Sequence, residues 1–230
     1  MGSTRGFTLV ELLVALVVMA LLALVSWRGL EGLSRATTQN RQRADAVLTL
    51  QVSLAQWGAD LDAIATLAQT RPIDWDGRVL RLTRRGPDPA APAMVVVAWT
   101  LRAEADGARW HRWQSAPFTL RGDWQQAWSQ AAAWAQDGTA PPGGSDVALM
   151  PLESWQLYYF RNDQWGPAAP LTATPLVAAT AATAATANAA IAPGAVPDGV
   201  RLVLGLSPGE GLSGPLTRDW ARPTLTVSKS

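Results

Sequence analysis

The sequence predicts an α+β protein, with a long N-terminal helix followed by a mostly antiparallel β-sheet. Two observations support this prediction. From Phe7 to Val25 the only residues that are not apolar are Thr8 and Glu11. After Pro72 the spacing of apolar residues changes from the three or four of a helix to the two of a strand. A helical segment followed by a series of strands is typical of α+β domains.

The apolar run at the start of the chain is long enough to cross a membrane. Its 19 residues, at about 1.5 Å each, span roughly 28 Å, which is close to the hydrocarbon thickness of a bilayer. A secretory signal has a shorter apolar region that ends in a small-x-small cleavage site. Here the bulky Trp27 follows instead, and Trp favours the membrane interface. We therefore expect residues 7–27 to be a retained transmembrane helix.

A helical pattern continues beyond the span. Its apolar residues recur at spacings of three and four, which places them on one helix face. They are Val47, Leu50, Leu54, Trp57, Leu61, Ile64 and Leu67. Residues 28–70 are expected to continue the helix as far as Thr70, because Pro72 disfavours helical geometry before it. The first six of these residues form a candidate seam for a partner helix, and the alternative is that the same face docks on the chain's own domain.

The sequence after Pro72 predicts strands at residues 78–84 and 94–101, with a hairpin turn at Asp106-Gly107. The remaining predicted strands are residues 109–114, 154–161 and 200–206, with 224–227 as a further candidate.

A second helix is predicted over residues 123–138. Asp123 is the expected N-cap, Gln126 is its capping-box partner, and Gly138 follows the end. The apolar face of this helix is expected to consist of Trp124, Trp128, Ala131 and Ala135.

Residues 172–195 form a low-complexity insertion of mostly Ala, Thr and Pro, without charged or aromatic side chains. We expect this segment to be a disordered surface insertion. Deleting it and closing the gap with a short Gly-Ser link should shift the melting temperature by less than about 3 °C, because loop closure depends weakly on length. Thermal unfolding of the deletion variant measures this, and a large drop in melting temperature would show that the segment packs on the domain.

The composition excludes several kinds of chemistry. The chain has no cysteine and one histidine, His111, so disulfides, thiolate metal sites and cysteine nucleophiles are excluded. The formal net charge is +1, and no basic patch predicts nucleic-acid binding. Residues 209–214 match GxGxxG, but Pro215 follows and no crossover helix is predicted, so we interpret them as a hairpin connection.

The acidic pairs of the sequence do not predict acid–base catalysis. Asp60 and Asp62 are too close in sequence to share a helix face, and Asp74 and Asp76 flank a turn. We therefore predict no enzyme activity, cofactor, metal or small-molecule substrate.

The order Gly6-Phe7-Thr8-Leu9-Val10-Glu11 resembles the N-terminus of type IV prepilin-like proteins. The resemblance implies that residues 1–6 are a leader, cut by a prepilin peptidase between Gly6 and Phe7. It also implies that Phe7 is then methylated on its new amine. Glu11 would become the fifth residue of the mature chain and pair with the N-terminal ammonium of a neighbouring subunit. A plain anchor with an interfacial Glu11 is the alternative.

Three further stretches resemble the J-type minor pseudopilins of type II secretion. They are "WRGLEGL", "LESWQLYYFRNDQW" and "PDGVRLVLGL…GPLTRDWARP". The resemblance implies a pilin-like fold, with residues 71–230 as a periplasmic β-rich domain on a single-pass inner-membrane anchor. It also implies a pseudopilus-tip subunit that primes assembly, with the I-type and K-type minor pseudopilins and the major pseudopilin as partners. The alternatives are a minor pilin of a type IV pilus and, more distantly, a membrane-anchored periplasmic enzyme.

Charge alone does not predict the orientation of the anchor. Arg5 is the only basic residue before the span, whereas Arg28, Arg35, Arg41 and Arg43 follow it. The positive-inside rule would therefore keep the C-terminal part in the cytoplasm. The export of that part is implied by the prepilin resemblance.

Overall fold

A computed structural model describes residues 8–88, 90, 92–139, 141–168, 196–208 and 212–223. It contains two compact units, Met1–Ala46 and Val47–Ser230. The first helix, α1 (Leu9–Asp62), begins in the first unit and ends in the second. The predicted cleavage site, the insertion at residues 172–195 and the candidate strand at 224–227 lie outside the described residues.

The second unit is built on one antiparallel sheet of eight strands among the described residues. The strands are β1 (Ile73–Trp75), β2 (Val79–Arg85), β3 (Met94–Glu104), β4 (Gly107–Gln114), β5 (Ser145–Arg161), β6 (Gln164–Pro167), β7 (Gly199–Leu206) and β8 (Gly214–Ala221). Their order in the sheet is β1-β2-β3-β4-β5-β7-β8, and β6 pairs with β5 alone. The α+β prediction is therefore confirmed.

The end of α1 was predicted wrongly. The helix ends at Asp62 rather than Thr70, because the next residues pair with β2. The Ala65 N–H donates to the Thr83 carbonyl over 2.9 Å, and the Arg85 N–H donates to the Ala63 carbonyl over 3.0 Å. These two hydrogen bonds pair the backbone of Ala63 and Ala65 with β2. A helix that continued to Thr70 would not form them.

The face proposed as a partner seam lies largely in the chain's own core. Leu50, Trp57 and Leu61 are 7%, 0% and 1% exposed, and Leu54 and Ile64 pack against the same cluster. Val47 is half-buried. The seam prediction is therefore corrected for the buried residues, because the sheet supplies the apolar surface that this face needs. This face of α1 instead packs on the chain's own sheet domain, which was the alternative prediction.

The second helix, α2 (Arg121–Asp137), covers the other face of the sheet near β2 and β3. Its predicted apolar face is confirmed, since all four predicted residues are buried there together with Ala127 and Trp134. The Asp123 cap and its Gln126 partner were predicted wrongly. The residue before the helix is Leu120, which makes no side-chain cap. Asp123 lies in the first turn, where its negative charge interacts favourably with the positive end of the helix dipole.

Gly138 ends α2 as predicted. Its φ of 74° is in the left-handed region that favours glycine, and its N–H donates to the Trp134 carbonyl over 2.9 Å. The Arg102 side chain of β3 lies 3.4 Å from the same carbonyl and from that of Gly138. A side chain of the sheet therefore supplies hydrogen-bond donors to carbonyl groups at the end of the helix.

The long strand β5 joins the two parts of the sheet. Its first half pairs with β4 and its second half with β7, so it extends well before the predicted strand at 154–161. Leu206 of β7 pairs with Gly214 of β8, so the two strands are antiparallel neighbours. Residues 209–211 of the stretch predicted as a hairpin connection lie outside the described residues. The short strands β1 and β6 were not predicted, since three or four residues carry too little periodicity.

Candidate functional site at the start of the first helix

Thr8 and Glu11 form a capping box at the start of α1. The Glu11 Oε2 atom accepts the Thr8 backbone N–H over 3.0 Å and the Thr8 hydroxyl over 2.9 Å. In return, the Glu11 N–H donates to Thr8 Oγ1 over 3.3 Å. Thr8 is thus the N-cap and Glu11 the third helical residue, which is the reciprocal arrangement of a capping box.

The box gives Glu11 a role inside its own helix. The first turn of any helix leaves backbone N–H groups without partners, and in an apolar medium each such group is costly. The box satisfies the N–H groups of Thr8 and Glu11. The sequence contains the pattern of a capping box, since Thr and Glu three residues apart before an apolar run are typical of a capped helix start. The expected roles of Glu11 were pairing with a neighbouring subunit or, as the alternative, an interfacial position, and its capping role was not predicted.

The helix that follows the box presents apolar side chains on every side. An 18-residue window of α1 has a mean hydropathy of 2.8 and no buried residue, and it is the one span of this kind among the described residues. Leu13 and Met19, for example, are 53% and 59% exposed. A helix that is apolar all round requires a membrane or other protein chains to cover it.

Asp60 is the most buried acidic residue of the described chain, and its role was not predicted from the sequence. It is 0% exposed and lies three residues after Trp57, on the apolar face of α1. Both oxygens are held by Arg112, with Nε to Oδ2 and Nη2 to Oδ1 at 2.8 Å each. The Trp99 indole donates to Oδ2 over 2.9 Å, and the Arg84 guanidinium also contacts Oδ1. Asp60 therefore fixes α1 on the sheet through two cations.

His111 is also buried, at 4% exposed. Its Nε2 lies 2.8 Å from Glu104 Oε1 and its Nδ1 lies 3.3 Å from Asp146 Oδ1. These contacts link β3, β4 and β5. Among the residues that the structure describes, no group of three or more His, Asp or Glu side chains is placed to hold a metal ion.

The acidic residues at the β1–β2 turn have structural contacts. Asp74 is 4% exposed and accepts from Arg81 Nη2 over 2.5 Å. Asp76 Oδ1 accepts the N–H groups of Arg78 and Val79 at 3.0 and 2.9 Å. The pair therefore shapes the turn and binds a sheet arginine.

Comparison with known protein families identifies the N-terminal segment. Residues 1–27 match the family described as Prokaryotic N-terminal methylation motif. The chain thus carries the N-terminal methylation motif of prepilin-like proteins, and the capping box lies within it.

One similar solved structure is "The Crystal Structure of the GspK-GspI-GspJ complex from enterotoxigenic Escherichia coli Type 2 Secretion System". The matching chain of that complex is 14% identical, with a TM-score of 0.46, over 78% of this chain and 99% of that chain. No curated protein matches the sequence.

Proposed function

We propose that this chain is a minor pseudopilin of the J type, a structural subunit at the tip of a type II secretion pseudopilus. In this role it primes pseudopilus assembly for the export of folded proteins across the outer membrane. The observation that carries the proposal is the methylation motif at residues 1–27, with a capped helix start inside it. The motif by itself is common to pilins and pseudopilins, and the J-type stretches of the sequence support the narrower assignment.

The proposed processing follows from the position of the motif. A prepilin peptidase cuts between Gly6 and Phe7 at the cytoplasmic face and methylates the Phe7 amine. The cut leaves one residue before the Thr8 cap, so the capping box remains intact in the mature chain. The apolar helix then holds the protein in the inner membrane, with the sheet domain in the periplasm.

The proposed partners are subunits of the same filament. They are the I-type and K-type minor pseudopilins and the major pseudopilin, with the prepilin peptidase as processing enzyme. The apolar side chains of α1 that no described residue covers are the surface through which subunits would meet after leaving the lipid. No nucleic acid and no small-molecule substrate belong to this proposal.

Glu11 has two roles in this proposal. Its contacts with Thr8 cap the helix, and its charge attracts the N-terminal ammonium of a neighbouring subunit. Each of these charges is costly alone in an apolar medium, and pairing makes both tolerable. The two roles use different properties of the side chain, because capping needs an acceptor oxygen and pairing needs the negative charge.

The proposed processing predicts the mass of the mature protein. Protein extracted from membranes should begin at Phe7 and carry a methylated amine, since Gly6 is the residue placed for that cleavage. Intact-mass analysis measures this, with cells lacking the prepilin peptidase as the control, in which the chain should remain uncut. A mature chain that still starts at Met1, or that starts near Trp27, would contradict the assignment.

Membership of the tip complex is tested in cells of the native host. Cross-linking followed by capture of the mature chain should recover the other minor pseudopilins, and deletion of the gene should reduce secretion. Recovery of type IV pilus subunits with normal secretion would instead assign the chain to a pilus.

A further inference from the structure

A hydrogen-bonded ladder of three side chains follows the apolar run of α1. Trp27 Nε1 donates to Glu31 Oε1 over 2.8 Å, and Arg35 Nη2 lies 3.4 Å from Glu31 Oε2. The Arg35 Nε atom also donates to the Glu31 carbonyl over 3.4 Å. Residues four apart are neighbours on a helix surface. The charge of Glu31 is therefore matched by Arg35 within the helix.

Arg28 adds an unmatched charge to the same side of α1. It precedes Arg35 by seven residues, which is about two turns, so the two side chains start within about 20° of each other around the axis. Arg28 is exposed, and within the described part of the chain no hydrogen bond or ion pair reaches it. Leu30 and Leu33 leave the helix on the other side, at 62% and 66% exposed. The polar side thus carries a net positive charge that Arg28 supplies.

The polar side of α1 begins at the distance from Phe7 at which the lipid head groups are expected. Trp27 follows Phe7 by 20 residues, or about 30 Å of helix, which equals the hydrocarbon thickness of a bilayer. The rise from Trp27 to Arg35 is about 12 Å. These side chains therefore begin where the acyl chains end and extend through the head-group layer.

We propose that Trp27, Arg28 and the Glu31–Arg35 pair form a collar that binds phospholipid head groups on the far side of the span. This inference rests on the membrane anchorage in the proposed function. The free Arg28 guanidinium is complementary to lipid phosphate, to which it donates two parallel hydrogen bonds. The Trp27 indole, 64% exposed, suits the boundary between acyl chains and head groups. The collar fixes the depth of α1, and hence the height at which the exported part of the chain leaves the membrane.

The test uses the absence of native cysteine. Single reporters are introduced as Ala20→Cys, within the span, and Ser34→Cys, beside the collar, in the otherwise unchanged full chain. The purified chain is reconstituted at low density in vesicles of phosphatidylcholine and phosphatidylglycerol. The labelling rate with a membrane-impermeant maleimide is then measured. Arg28→Gln should raise the Ser34→Cys labelling rate about fivefold. The attraction of one arginine to an anionic surface corresponds to about a fivefold change in the equilibrium between the bound and the free side chain.

Arg41→Gln is the matched control, since Arg41 is also exposed on α1 but lies about 20 Å further along the helix than Arg28. It should leave the labelling rate unchanged. The effect of Arg28→Gln should also shrink in vesicles of phosphatidylcholine alone. Equal labelling rates with and without Arg28→Gln would overturn the collar. They are the result expected if Arg28 instead pairs with an acidic residue of another subunit.

The Ala20→Cys reporter separates failure of the collar from failure of the anchor. A chain inserted as proposed protects this position from the maleimide, whatever the residue at position 28. Rapid labelling of Ala20→Cys in the vesicles would show that α1 does not span the membrane, which contradicts the proposed function itself. Protection at Ala20→Cys with no response to Arg28→Gln would overturn the collar alone.

Discussion

Asp60→Asn is expected to lower the free energy of unfolding of the sheet domain by about 3 kcal/mol or more. The substitution keeps the size of the side chain but removes the negative charge between Arg84 and Arg112, whose side chains are 12% and 13% exposed. Two guanidinium groups would then remain close together with little solvent to screen them. Removing one partner of a buried ion pair is strongly destabilising for this reason.

The measurement is urea unfolding of the detergent-solubilised full chain, followed by near-ultraviolet circular dichroism of the tryptophans. Asp62→Asn is the matched control, since Asp62 lies on the same helix and is exposed. Its contact with Trp220 Nε1, 2.8 Å from Oδ1, needs only an acceptor oxygen, which Asn retains. The control should change stability by less than about 1 kcal/mol. Equal effects of the two substitutions would contradict the assigned role of Asp60.

Glu11→Gln and Glu11→Ala should differ in a way that separates the two roles of Glu11. Gln also serves in capping boxes, so Glu11→Gln keeps an acceptor for Thr8 and removes only the charge. Both variants should insert and be cleaved, because a neutral side chain is less costly in lipid and the cut lies before Phe7. Cross-linked yield of partner subunits should fall at least about tenfold in both, since loss of a buried ion pair exceeds the 1.4 kcal/mol that a tenfold change represents.

Capping should be lost in Glu11→Ala alone. That variant leaves the Thr8 N–H without its side-chain acceptor, so the first turn of α1 should fray, and amide hydrogen exchange at the helix start should quicken. Glu11→Gln should exchange nearly as slowly as the unaltered chain. Insertion, cleavage, partner yield and secretion are measured in the same cells. Normal partner yield and secretion with Glu11→Gln would show that the charge is not needed, and would leave capping as the role of Glu11.

The elements with a strong local signal were predicted from the sequence. The helix α2 and the strands β2, β3, β4 and β7 carry regular apolar periods, and their existence is confirmed within a few residues at each end. Gly138 was predicted as the end of α2 because a left-handed residue there favours glycine. These signals are local, since neighbouring residues suffice to produce them.

The misplaced boundaries depended on distant residues. Local sequence favoured a helix up to Thr70, but pairing of Ala65 with Thr83 of β2 ends α1 at Asp62. The helix α2 begins after Leu120 rather than after Asp123, and the Arg121 side chain of this added first turn contacts Gln69 Oε1, 52 residues earlier in the chain. Such contacts join residues far apart in sequence, so a local pattern does not contain them.

The sequence by itself determined the N-terminal motif, the membrane-length helix and the α+β class. Each follows from residue order within a few turns or from periodicity along one segment. Only the tertiary structure decided that the face of α1 carrying Trp57 lies in the chain's own core, and that Asp60 on that face is held by Arg84 and Arg112. An apolar stripe shows that a face must be covered, but the identity of its cover depends on which surfaces the folded chain brings to it.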